Sequence, residues 1–90
     1  MSLKDYYVEE ERKVVGFIGA YQKNYGLSDL ELDISHITFE QYKEERLRLC
    51  GIKNEGERMK QTALLEVRVL KHHLQGLTNI LFGIGERHAN

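Results

Sequence analysis

Apolar side chains recur along most of this chain at alternating steps of three and four, the spacing of an amphipathic helix. Three such stripes follow one another and predict α-helices over residues 3–25, 39–50 and 55–83. We interpret residues 1–90 as a single all-α domain, a small three-helix bundle with a long C-terminal helix. The residues that share one face of the first helix are Leu3, Tyr7, Val14, Ile18, Tyr21 and Tyr25.

Helix boundaries carry their own signals. Thr38 and Gln41 have the spacing of a capping box, in which each side chain satisfies a backbone amide of the first turn. Asn54 and Glu57 repeat that spacing before the third helix, and Gly26 follows the first helix where a left-handed residue often ends one. The second helix is expected to bury one face, formed by Phe39, Tyr42, Leu49 and Cys50.

One short segment has a different period. Residues 30–34, Leu-Glu-Leu-Asp-Ile, alternate as a β-strand does. The sequence offers no second strand to pair with it. We therefore interpret it as an extended connector or a short helical turn, and the fold class stays all-α.

The third helix carries an apolar seam with steps of four and three, which keeps one stripe facing a partner helix. A helix over 55–83 is about 43 Å long, whereas a compact domain of this size is roughly 30 Å across. Either the helix breaks at Gly76, giving four helices, or its uncharged end projects beyond the domain. Gly83 and Gly85 are interpreted as its stop. The seam consists of Ala63, Val67, Leu70, Leu74, Leu77, Leu81 and Ile84.

A projecting apolar end requires a partner, because monomeric proteins rarely expose a large apolar patch. We therefore predict a small protein-interaction, adaptor or regulatory protein that acts by binding, as a homodimer or on another protein. Gly16 and Gly19 interrupt the face of the first helix opposite its stripe, where either a second helix approaches closely or the helix bends. The predicted partner interface consists of Leu70, Leu74, Leu77, Ile80, Leu81, Phe82 and Ile84.

Charge supports an alternative function. The net charge is −1, but residues 43–71 hold eight Lys and Arg against five Glu. Two helices joined by a short turn resemble a helix-turn-helix, so a nucleic-acid-binding regulator is the alternative. Glu55 and Glu57 would face phosphates in that arrangement, which disfavours it. The residues that would contact nucleic acid are Lys43, Arg46, Arg48, Lys53, Arg58, Lys60, Arg68 and Lys71.

Catalytic and metal chemistry find little support. His72 and His73 are adjacent and point about 100° apart on a helix, so they cannot chelate one ion together. Cys50, the single cysteine, permits no intrachain disulfide. We expect no enzyme activity, no cofactor, no metal site and no small-molecule substrate. The charged N-terminus and the lack of an apolar run of about 20 residues predict a cytoplasmic protein without a signal peptide or membrane contact.

Overall fold

The computed structural model describes residues 2–28, 31, 32 and 35–88, and it consists of three α-helices. The helix α1 spans Leu3–Tyr25, α2 spans Phe39–Cys50 and α3 spans Glu55–His88. The all-α fold class is therefore confirmed. Both α1 and α2 occupy the residues that the apolar pattern indicates, whereas α3 extends five residues further.

Local hydrogen bonds explain where the helices begin and end. The backbone amide of Gln41 donates to Thr38 Oγ1 at 3.1 Å, and the Thr38 amide donates to Gln41 Oε1 at 2.9 Å, which completes a capping box. The Glu57 amide donates to Asn54 Oδ1 at 2.9 Å before α3. Gly26, with φ of 61°, takes the left-handed conformation that closes α1. Because these contacts join residues only three or four apart, the spacing of the residues in the sequence is enough to predict them.

Glycine does not interrupt α3. The helix passes through Gly76 and through the predicted stop at Gly83 and Gly85, so the interpretation of those two residues was wrong. A helical glycine costs about 1 kcal/mol relative to alanine, and apolar contacts of the surrounding turns with α1 can outweigh that cost. In the alternating segment, the Glu31 amide donates to the Ser28 carbonyl at 3.0 Å, as in a turn; residues 30, 33 and 34 lie outside the described part.

The core lies between α1 and α3, which run antiparallel. The Thr78 hydroxyl donates to Glu11 Oε2 at 3.2 Å, so the start of α1 lies beside the end of α3. The uncharged end of α3 is thus paired with α1, so neither expected alternative, a break at Gly76 or an end that projects beyond the domain, is found. The buried residues that form this core are Val14, Ile18, Leu27, Ala63, Val67 and Leu77.

The second helix covers only the first half of α3. Leu49 is its buried residue, at 3% exposure, and Tyr42 is half-buried. Phe39 is 71% exposed and Cys50 is also exposed, so the expectation that both are buried was wrong. A helix of twelve residues that packs mainly against one neighbour buries a narrow face. The whole molecule is accordingly long, 55 × 27 × 25 Å, with a radius of gyration of 15.8 Å.

Candidate functional site

One end of the molecule is only two helices deep. It consists of residues 3–15 of α1 and 74–84 of α3, and we call it the open end. The donors of α2 reach α3 at Glu66. The connector between α1 and α2 is joined to α3 at Arg68, which donates to the Ser35 carbonyl, and at His72. Among the described residues, neither element makes a hydrogen bond or ion pair further along α3. At the open end, α1 and α3 therefore cover only the sides on which they face each other.

Large apolar side chains are exposed on both sides of the open end. On α1, Val8 and Val15 are seven residues apart and share one side. Phe82 lies one turn beyond Thr78 on α3 and borders the same side. Leu3, Tyr6 and Ile80 are also exposed. The exposed fractions are 65% for Leu3, 49% for Tyr6 and Val8, 53% for Val15, 43% for Ile80 and 72% for Phe82.

The predicted partner interface is only partly available to another chain. Leu77 is 5% exposed and belongs to the core of its own chain, so it leaves the candidate interface. Leu70 and Leu74 pack against that core. Leu81 and Ile84 are half-buried, whereas Ile80 and Phe82 are exposed. The seam faces α1, which explains why its members are covered and the residues beside it are not.

A groove of about 560 Å³ follows the line where α1 meets α3. Val15 and Gly19 form part of one wall, and Lys71, Gln75 and Thr78 form part of the other. Apart from the backbone of α1 itself, no described atom lies within 4 Å of the Cβ that a residue would carry at Gly19, or at Gly16. Among the described residues, no second helix therefore packs closely on these glycines, and the space above Gly19 is open.

A second cleft, of about 550 Å³, lies among α1, α2 and α3. Its polar centre is Glu66 Oε1, which accepts hydrogen bonds from the Tyr42 hydroxyl at 2.6 Å and from Arg46 at 2.9 Å. The bond to Glu66 raises the pKa of Tyr42, because the carboxylate favours the protonated phenol. Cys50 lines this cleft. The polar groups mainly bond to one another, which indicates a structural contact between α2 and α3.

Most of the predicted nucleic-acid contacts are engaged within the chain. Ion pairs join Lys43 to Glu40, Arg46 to Glu66, Arg48 to Glu45 and Lys60 to Glu31. The bond with Lys60 lowers the pKa of Glu31. Arg58 donates to the Ile52 carbonyl, and Arg68 donates to Ser35 and to the His36 carbonyl. Within the described part of the chain, Lys53 and Lys71 form neither an ion pair nor a side-chain hydrogen bond.

Two histidines, His36 and His72, pack against each other. The rings of His36 and His72 meet edge to face with centroids 5.3 Å apart, and His72 Nε2 lies 2.8 Å from the Ser35 carbonyl oxygen. These contacts hold the connector against α3. Residues 2–28, 31, 32 and 35–88 bring no three His, Cys, Asp or Glu side chains together in a group suited to a metal ion.

The apolar content of the helices bears on membrane contact. In the described part of the chain, none of the helices combines the length and the hydropathy needed to cross a bilayer. Comparison of the chain with protein-family models, with curated proteins and with solved structures finds no match.

Proposed function

We propose that this protein acts by binding, as a homo-oligomer whose interface is the open end of the α1–α3 pair. The observation that supports this proposal is the exposure of six large apolar side chains on a segment only two helices deep. Two-helix layers commonly bury such faces by forming a four-helix bundle with another pair. An assembly of this kind joins chains without requiring a reaction, which supports an adaptor or regulatory role.

Charge argues against the alternative of nucleic-acid binding. Affinity for a phosphate backbone comes from cations that release counterions, and it grows with the number of phosphates contacted. Arg46 and Lys60 already neutralise carboxylates on other segments of the chain. The basic segment therefore offers fewer available cations than its composition indicates.

The proposal is tested by sedimentation velocity from micromolar to millimolar protein. The parent should sediment as a species heavier than the 10.5 kDa chain. A variant with Tyr6→Ser, Val8→Ser, Ile80→Ser and Phe82→Ser should remain a monomer and keep its helical circular dichroism, since all four side chains are substantially exposed.

The chain offers a matched control for loss of exposed apolar area. Phe39 and Leu47 on α2 are 71% and 75% exposed and lie outside the open end. Phe39→Ser with Leu47→Ser should leave association unchanged. A parent that stays monomeric at every concentration contradicts the proposal, as does a fourfold variant that associates as strongly as the parent.

A further inference from the structure

We infer that the partner of this chain is a second copy, docked in antiparallel register on the α1–α3 groove and held there by two reciprocal Lys71–Glu11 ion pairs. This inference rests on the proposed function. It adds the face, the symmetry and the register of the assembly, and it extends the interface from the open end along the groove to Gly19 and Lys71. A twofold dimer joins the same surface of both copies, so each contact occurs twice. The surface must therefore be complementary to itself.

The hydrogen bond between Glu11 and Thr78 fixes how the two helices of one copy lie beside each other. Because both helices rise about 1.5 Å per residue, Val15 lies level with Leu74, close to the middle of the open groove. Lys71 and Thr78 are seven residues, or about 10 Å, apart along the same side of α3. A twofold axis placed midway between them passes close to Val15.

Charge complementarity selects this register. A rotation about that axis brings Lys71 opposite Thr78 of the partner, whose hydroxyl is already bonded to the carboxylate of the partner's Glu11. Lys71 is half-buried at the groove wall and forms no ion pair among the described residues. The same rotation brings Glu11 opposite the partner's Lys71. Each copy thus supplies one cation and one anion to the interface.

Shape agrees with the same register. The rotation places the partner's Val8 within about two residues, or 3 Å, of Gly19 along α1, where the groove wall lacks a side chain and a Cβ would meet no described atom within 4 Å apart from the helix's own backbone. Val8 is 49% exposed in the single chain. Val15, which is 53% exposed, meets its own symmetry mate near the axis. The open space at Gly19 on one copy and the exposed Val8 of the other therefore lie next to each other.

A charge-swap experiment tests the register. Lys71→Glu alone and Glu11→Lys alone each place like charges opposite one another twice per dimer. Each variant should dimerise about tenfold more weakly than the parent, since two partly exposed pairs change from attraction to repulsion. An equimolar mixture of the two variants restores both pairs in the heterodimer. That mixture should therefore regain parental association, measured by sedimentation and by native mass spectrometry.

Two controls separate the interface from the fold. Lys53→Glu changes the same charge at an exposed site between α2 and α3 and should leave association unchanged. Gly19→Trp fills the open space next to the partner's Val8, whereas Gly16→Trp adds the same side chain to the same helix outside the groove lining. Only the Gly19 variant should lose dimer, and both should keep the parental circular dichroism.

The outcomes discriminate between the inference and the proposed function. Preferential heterodimer formation together with loss of dimer in Gly19→Trp supports the inference. A parental dimer that is indifferent to both charge changes overturns the inference and leaves the proposed function in place with another face. A parent that is monomeric throughout overturns both. If Glu11→Lys lowers the helicity, the inference is decided by comparing Gly19→Trp with Gly16→Trp: dimer loss in Gly19→Trp only supports it, and equal association of the two variants overturns it.

Discussion

The Tyr42 hydroxyl donates a 2.6 Å hydrogen bond to Glu66 Oε1, and this contact joins α2 to the middle of α3. The same carboxylate oxygen accepts from Arg46 at 2.9 Å. One residue of α3 therefore receives two donors from α2, whose only buried side chain is Leu49. A short helix with so little apolar contact depends on this polar attachment.

Tyr42→Phe removes the donor and leaves the ring in place. We expect the free energy of unfolding to fall by about 1 kcal/mol, the usual contribution of a partly exposed hydrogen bond. Urea denaturation measures the change. Tyr25→Phe is the matched control, because the Tyr25 hydroxyl makes no hydrogen bond among the described residues, and it should change the stability much less. Equal losses in both variants would show that the bond to Glu66 contributes nothing specific.

The same bond predicts a pH dependence at alkaline pH. The pKa of Tyr42 is raised in the folded chain above the ordinary value of 10.0, first of all by the hydrogen bond to Glu66. A group with a raised pKa stabilises the fold fully below its unfolded pKa, and that stabilisation is lost as the pH rises through the folded pKa. The difference in stability between parent and Tyr42→Phe should therefore be constant at neutral pH and shrink above pH 10. A difference that grows above pH 10 contradicts the assignment.

The capping box at the start of α2 gives a local prediction. Thr38→Ala removes the acceptor of the Gln41 amide, and we expect it to cost about 1 kcal/mol. Thr38→Ser keeps a hydroxyl at the same position and should retain most of the stability. Thermal melts of the three proteins provide the comparison. Coincident melts of the parent and Thr38→Ala would show that α2 does not need its cap.

Two glycines should respond to alanine with opposite signs. Gly76 lies inside α3 with open space around it, so Gly76→Ala should raise the free energy of unfolding by up to about 1 kcal/mol. Gly26 ends α1 with φ of 61°, a conformation that is unfavourable for a residue with a Cβ. Gly26→Ala should therefore lower the stability by about 1 kcal/mol. Chemical denaturation of both variants measures the two signs, and a destabilising Gly76→Ala would indicate close packing at that site.

Leu77 and Phe82 separate the core of the chain from its candidate interface. Leu77→Ala should cost about 2–5 kcal/mol, because it leaves a cavity between α1 and α3. Phe82→Ala removes a side chain that is 72% exposed and should change the stability of the monomer by less than about 0.5 kcal/mol. Denaturation at low protein concentration measures the monomer. A large loss for Phe82→Ala would place that ring in the core.

Local signals in the sequence predicted the beginnings of the helices well, because a cap involves residues only three apart. Thr38 with Gln41 is one such signal, and Asn54 with Glu57 is another. The end of α3 was missed because Gly83 and Gly85 are only weak helix breakers. Whether the helix continues through them depends on the contacts of the neighbouring turns, which the spacing of residues in the sequence does not reveal.

The candidate site was harder to predict than the fold. The steps of four and three in α3 correctly identified a stripe that needs a neighbouring helix, but they did not identify which helix. Leu77 shows this, because α1 of the same chain covers it. The antiparallel placement of Glu11 beside Thr78 depends on how the connector returns the chain, and no periodic pattern encodes that return. The residues beside the stripe, such as Val15 and Phe82, became candidates only when this placement was known.

The two-helix depth of the open end also has a consequence for the dynamics of the fold. Stability is distributed unevenly in proteins, and segments with few buried apolar contacts open without global unfolding. Amide protons in the first turns of α1 should therefore exchange with solvent faster than those around Val67, which is 0% exposed between its neighbours. Docking of a second chain would slow exchange selectively at this end. Partner docking and the pairing of the first turns of α1 with α3 would then be thermodynamically linked, so that each stabilises the other.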